Sequence, residues 1–119
     1  MKKILWISRH QMTDAQFDDL RRCAQDEIEL TVWDETVKDL HVLLPLVERA
    51  DMIAAVLPLD LMAQLVRVAG DKPVLRAVNR RIPTGAVTTL PDGRCEAEYA
   101  FEHMCWQRII RIDVETQCL

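Results

Sequence analysis

KILWISRHQMTDAQFDDLRRCA, residues 3–24, holds the pattern that decides the fold. Lys3–Ile7 is a short, nearly continuous apolar run, as expected of a strand covered on both faces. It passes into three polar side chains, Ser8-Arg9-His10, and then into Thr13-Asp14-Ala15-Gln16. That last tetrad fits a capping box: a Thr hydroxyl accepts from the backbone N–H three residues on, and the Gln side chain reaches back. Phe17, Leu20 and Cys23-Ala24 follow at helical spacing, which predicts a helix over Asp14–Ala24.

The same alternation continues outward from this unit. Ile28–Trp33 is rich in β-branched residues and reads as a second strand. Leu40, Leu43-Leu44 and Val47 place a helical stripe within Val37–Ala50, and Pro45 suits a first-turn position, so that helix is expected to start late. Met52–Val56 is a third strand running into Leu57-Pro58. A third helix around Leu61–Ala69 has Gly70 placed as its C-terminal cap. Pro73–Val78 is a fourth strand, ending in Asn79-Arg80-Arg81.

The period then changes. Val87–Leu90, the turn residues Pro91-Asp92-Gly93 and the alternating Cys95–Phe101 suggest a hairpin, although Cys95–Gln107 could instead be partly helical. Ile109–Val114 reads as a last strand.

Strands alternating with helices make an α/β domain with a mainly parallel sheet. The expected fold is a single Rossmann-like domain over residues 1–119. Its α/β core spans 1–85, its strand order is 2-1-3-4, and an antiparallel addition comes from the hairpin and C-terminal strand of 86–119. Right-handed crossovers place the carboxyl ends of the strands on one rim, with a switch point between strands 1 and 3 where such sheets bind ligands. On that reading Ser8, Arg9, His10, Leu57, Pro58, Asp60, Asn79, Arg80 and Arg81 share the rim. Arginine forks there, beside the first helix's N-terminus, suit a phosphate-bearing small molecule. An arginine pair after a strand serves equally as a solvated loop, and Asp60 is better read as a helix cap.

Composition narrows the field. Half the residues are hydrophobic and 29% are charged, with only three glycines and five prolines, as in a globular domain without a linker. No apolar run approaches the roughly 20 residues of a membrane span, and the basic start has too short an apolar stretch for a secretion signal. A net charge of −4 and a pI near 5.3 argue against coating duplex nucleic acid. Cys23, Cys95, Cys105 and Cys118 form no C-x-x-C pair and are expected to be reduced thiols in a cytoplasm. The absence of G-x-G-x-x-G and P-loop patterns leaves no dinucleotide or ATP signature. No cofactor and no metal are expected; Glu96, Glu98 and Glu102 are spaced like a metal ladder but are more simply the wet face of a strand. Trp6, Trp33 and Trp106 are assigned to the core, and His41 and His103 to surface or packing roles.

Two stretches carry a resemblance: ILWISRH (Ile4–His10) and DMIAAVLPLDLMAQLV (Asp51–Val66). Together with the small α/β frame they resemble the small CRISPR-associated ring nuclease proteins, accessory to type III systems of antiviral defence. The likeness covers roughly the first two thirds of the chain. The family's usual Pro-Gly after Ser-Arg-His is Gln11-Met12 here, and the tail from Ala86 to Leu119 does not align with it. The resemblance implies binding of a cyclic oligoadenylate, held across the two-fold of a homodimer or larger assembly. It also implies metal-independent hydrolase activity on the phosphodiester. Arg9 would stabilise charge, Ser8 would hold phosphate and His10 would be general acid or base. A non-catalytic sensor or sponge, or an interaction module without a small ligand, are the alternatives.

Overall fold

The computed structural model describes residues 1–119. β1 (Lys2–Ile7) is the hub of a five-stranded sheet. β2 (Ile28–Trp33) lies parallel on one side of it and β3 (Met52–Ala55) parallel on the other. β4 (Val74–Thr89) continues parallel to β3, and β5 (Cys95–Arg108) closes the sheet antiparallel. The order β2-β1-β3-β4-β5 is the expected 2-1-3-4 with an antiparallel strand added.

Local chemistry explains the helices. α1 (Asp14–Ala24) begins with the capping box as read: the Thr13 hydroxyl accepts from the Gln16 N–H at 3.1 Å, and the Gln16 side chain accepts from the Thr13 N–H at 3.0 Å. Arg21 and Arg22 in its last turn suit the negative end of the helix dipole. A 3₁₀ turn at Leu40–Leu43, capped by the Asp39 carboxylate, leads into the short α2 (Leu44–Arg49), with Pro45 in its first turn. Lys72 fastens that helix's far end, donating to the carbonyls of Val47 at 2.8 Å and Glu48 at 2.7 Å. α3 (Leu59–Ala69) stops at Gly70, whose positive φ of 62° is a backbone region that favours glycine.

Apolar clusters cover both faces of the sheet. Leu5, Ile7, Ile53 and Val74 pack on α2 and α3 with Leu43, Val47 and Leu65. Ile4, Trp6, Ala54 and Leu75 pack on α1 through Leu20 and Ala24, and Trp106 joins from β5. The rings of Trp6 and Trp106 meet edge to face, with centroids 5.8 Å apart. Their N–H groups are both satisfied, on the carbonyls of His10 and Gln16, as buried indoles require. Trp33 is only half-buried.

The last third departs from the sequence reading. β4 does not end at Val78 but runs on to Thr89, paired with β5 through Asn79–His103, Arg80–Glu102 and Arg81–Phe101. Pro83-Thr84-Gly85-Ala86 is absorbed as an irregularity, Gly85 taking φ 82°, so the strand is bent rather than broken. Cys95–Gln107 is strand, not helix. Ile109–Val114 forms no strand: Ile109 donates to Val74 at 2.8 Å, and β4, which starts there, offers nothing further to pair with. Ile109 and Ile112 instead pack on the α2–α3 side. The break expected at residue 86 therefore falls inside one continuous hairpin.

That hairpin overhangs the sheet. Leu75 is beside Ala54 and Ala54 beside Trp6, so Ala77 is level with Ser8. Thr89 lies twelve residues further on, about ten paired steps once the irregularities are taken out, an overhang of about 33 Å at ~3.3 Å per residue. A compact chain of this length has a radius of gyration of about 13.5 Å; here it is 17.2 Å.

Candidate functional site

β1 ends at Ile7, and the chain turns at once. Ser8 is buried (5% exposed), and its backbone N–H donates to the Trp33 carbonyl at 3.0 Å, tying the turn to the end of β2. The Ser8 hydroxyl accepts from the His10 N–H at 3.0 Å. This side-chain-to-backbone bond is a short turn of the kind serine favours. It fixes the backbone on which Arg9 and His10 stand. The serine's shown role is thus to brace the turn; its own proton remains available to a ligand.

Arg9 and His10 are both exposed, and neither side chain makes a hydrogen bond or ion pair within the chain. Two clefts open beside them. One, of about 200 Å³, lies at the switch point between β1 and β3 and is lined by Ser8, Arg9, Val56, Leu57 and Pro58, with Glu35 and Thr36 from the loop after β2. The other, of about 470 Å³, lies on the α1 side. Its lining includes Ser8, Arg9, His10, Met12 and Phe17, with Asp14 and Asp34 on the polar side. Ser8 and Arg9 form the shared wall of both. Four of the residues read from sequence, Ser8, Arg9, Leu57 and Pro58, thus converge at the switch point.

The rest of the expected set does not join them. Asn79 is paired with His103 inside the β4–β5 ribbon. Arg80 donates to Glu102 at 2.7 Å, and the Arg81 guanidinium carbon sits 4.0 Å above the Tyr99 ring. These three residues were expected on a rim loop because β4 was expected to stop before them; pairing with β5 carries them onto the overhanging ribbon. Asp60 is not a cap either. The cap position of α3 is Pro58, which has no side chain to serve, and Asp60 lies exposed in the first turn.

Sequence reasoning missed the acidic contribution of Asp34 and Glu35. The signal was available: β2 is parallel to β1, so the residues after Trp33 must reach the same rim. A site with one arginine, one histidine and flanking carboxylates is less basic than a four-cation rim. It combines a fixed positive charge with groups that can take or give a proton.

Outside the clefts, one polar cluster is half-buried. His103 Nε2 donates to Asp19 at 2.8 Å, and Arg22 Nε donates to the same carboxylate at 2.7 Å. The His103 hydrogen bond is the main cause holding the Asp19 carboxyl below its ordinary value, with Arg22 adding to it and burial opposing. Burial pushes the neighbouring Cys23 thiol up, away from the reactive thiolate form. No helix is long and apolar enough to cross a membrane. No protein-family model, curated protein or solved structure matches the chain.

Proposed function

We propose that this chain binds a cyclic oligoadenylate-type second messenger at the carboxyl ends of its parallel strands and cleaves it. The reading rests on the likeness of Ile4–His10 and Asp51–Val66 to the ring nucleases. One observation carries it: Arg9 and His10 stand adjacent, exposed and unpaired at the end of β1, Arg9 on the wall shared by the switch-point cleft and the α1-side cleft and His10 on the α1-side cleft, at the strand ends where open α/β sheets take ligands.

The chemistry needs no group beyond the side chains at the site. A ribose 2′-hydroxyl attacks its adjacent phosphorus, the bond to the 5′-oxygen breaks, and a 2′,3′-cyclic phosphate and a 5′-hydroxyl result. Arg9 neutralises charge building on the phosphorane oxygens. His10 gives a proton to the leaving 5′-oxygen. Glu35, lining the same cleft as Arg9, accepts the 2′-proton in this reading. A ligand with two-fold symmetry is best met by two copies of the chain, each supplying the same residues, so the proposal includes a homodimer acting in the cytoplasm.

A second reading is favoured by His10 itself. Catalytic bases are commonly oriented by a third group, and the His10 ring is held by none. A protein that sequesters the ligand without breaking it would need Arg9 and not His10. Single-turnover cleavage and calorimetric binding of Arg9→Ala and His10→Ala separate the two. Lost rate with retained binding in His10→Ala supports the enzyme. Unchanged rate in that variant removes His10 from the mechanism.

A further inference from the structure

The overhanging ribbon has two unlike faces. In β5, Cys95, Ala97, Tyr99, Phe101 and His103 alternate with Glu96, Glu98, Ala100 and Glu102. Residues paired across antiparallel strands share a face. Val87 therefore joins Ala97, Pro83 joins Tyr99, and Arg81 joins Phe101, whereas Ile82 joins Ala100 and Arg80 joins Glu102. The first face is the α1 side of the sheet, because His103 on it meets Asp19 of α1. Period-two alternation of this kind is the pattern of a strand whose apolar face is covered. Yet Phe101 is 72% exposed, Val87 60% and Tyr99 44%.

We propose that this apolar face is the surface through which two copies of the chain associate, ribbon against ribbon about a two-fold axis. An isolated two-stranded ribbon is marginal in water, so an overhang of this length calls for a cover. The charge distribution selects the face. Every carboxylate of the overhanging part of β5 lies on the opposite side, so face-to-face contact on that side would set glutamates against glutamates. On the apolar side the one formal charge is Arg81, already stacked on Tyr99.

A two-fold axis near Tyr99 sets base against tip and leaves the two Ser8–Arg9 turns at opposite ends of the pair, so this contact is separate from any pairing of copies around a ligand. Phe101 then packs on the partner's Val87 and Ala97, large against small, and the two Arg81 side chains stay apart. A two-stranded ribbon face roughly 33 Å long and 10 Å wide gives about 330 Å² per copy, or on the order of 660 Å² in all, the size of a weak, reversible association rather than a permanent one. Ile109–Val114, read from the sequence as a last strand, forms none, so β5 is the final strand and its ribbon with β4 is the free sheet surface.

The test is sedimentation equilibrium of the full chain without nucleotide. The unmodified protein is expected to dimerise at micromolar concentration. Phe101→Glu is expected to weaken association at least tenfold with an unchanged circular dichroism spectrum, and Glu98→Lys on the opposite face to leave it unaltered. If Phe101→Glu does not fold, Val87→Glu, on the other strand, gives the same readout. A monomer at all concentrations, or a dimer indifferent to these apolar-face changes, overturns the proposal. Since no nucleotide is present, neither result bears on whether Arg9 and His10 act on a phosphodiester.

Discussion

His103 Nε2 lies 2.8 Å from Asp19 Oδ2, joining two residues 84 positions apart and fixing the root of the β4–β5 ribbon to α1. The contact depends on an irregularity between Val78 and Asn79. It leaves Met104 without a cross-strand partner and turns both His103 and Trp106 toward α1. The ribbon is thus held at two points by α1, through the Asp19 carboxylate and the Gln16 carbonyl.

Acid should loosen the first point. Asp19 is held below its ordinary value near 3.8, chiefly by the His103 hydrogen bond. A depressed carboxyl contributes stability that is complete above the unfolded value and is lost as pH falls through the lower folded one. Asp19→Ala is expected to cost about 1.5–3 kcal/mol near neutrality. The gap from the unmodified protein should narrow as pH drops below about 3.8. Urea titrations across that range check it; a gap that does not change with pH contradicts the assignment.

Trp106 anchors the second point. It is 8% exposed, packs edge to face on Trp6 and donates to the Gln16 carbonyl. Trp106→Ala should cost about 3–5 kcal/mol by opening a cavity beneath α1, and should release the ribbon. Chemical denaturation gives the first, and faster amide exchange at Cys95–Arg108 the second.

The capping box gives a smaller, local effect. Thr13→Ala removes the acceptor for the Gln16 N–H and is expected to cost about 0.5–2 kcal/mol. The loss should appear in thermal melts without altering association.

Most of the fold up to Val78 could be read from sequence because its signals are local. Thr13 and Gln16 define a helix start by themselves, Pro45 delays another, and Gly70 ends a third. The extent of β4 could not, because it is set by residues some 20 positions away: Asn79 continues as strand only because His103 pairs with it. Pro83 and Gly85 looked like an ending and proved to be a bend. Ile109–Val114 has strand composition but no strand left to pair with. At the site, Ser8-Arg9-His10 was legible from its position after a buried strand. Asp34 and Glu35 were overlooked although the same logic reaches them, and Arg80 and Arg81 were lost to the rim with the end of β4.

That difference gives a contrast between arginines. Arg9→Ala should weaken binding of a cyclic oligoadenylate by about 1.5–3 kcal/mol, ten- to a hundredfold, as loss of a charge-assisted phosphate contact. Arg80 is in an exposed pair with Glu102, so Arg80→Ala should change binding and stability by less than about 1 kcal/mol. Calorimetry on the two variants compares them directly; equal losses would return Arg80 to the binding surface.

The central claim is tested by incubating the unmodified protein with a panel of cyclic oligoadenylates and cyclic dinucleotides. Chromatography then follows both retention and breakdown. A cyclic oligoadenylate is expected to be retained and converted to linear products ending in 2′,3′-cyclic phosphate, with conversion depending on His10 and undiminished by a metal chelator. A ligand held tightly but returned intact after hours contradicts the cleavage step and leaves a sequestering protein. Failure to retain any member of the panel contradicts the site itself.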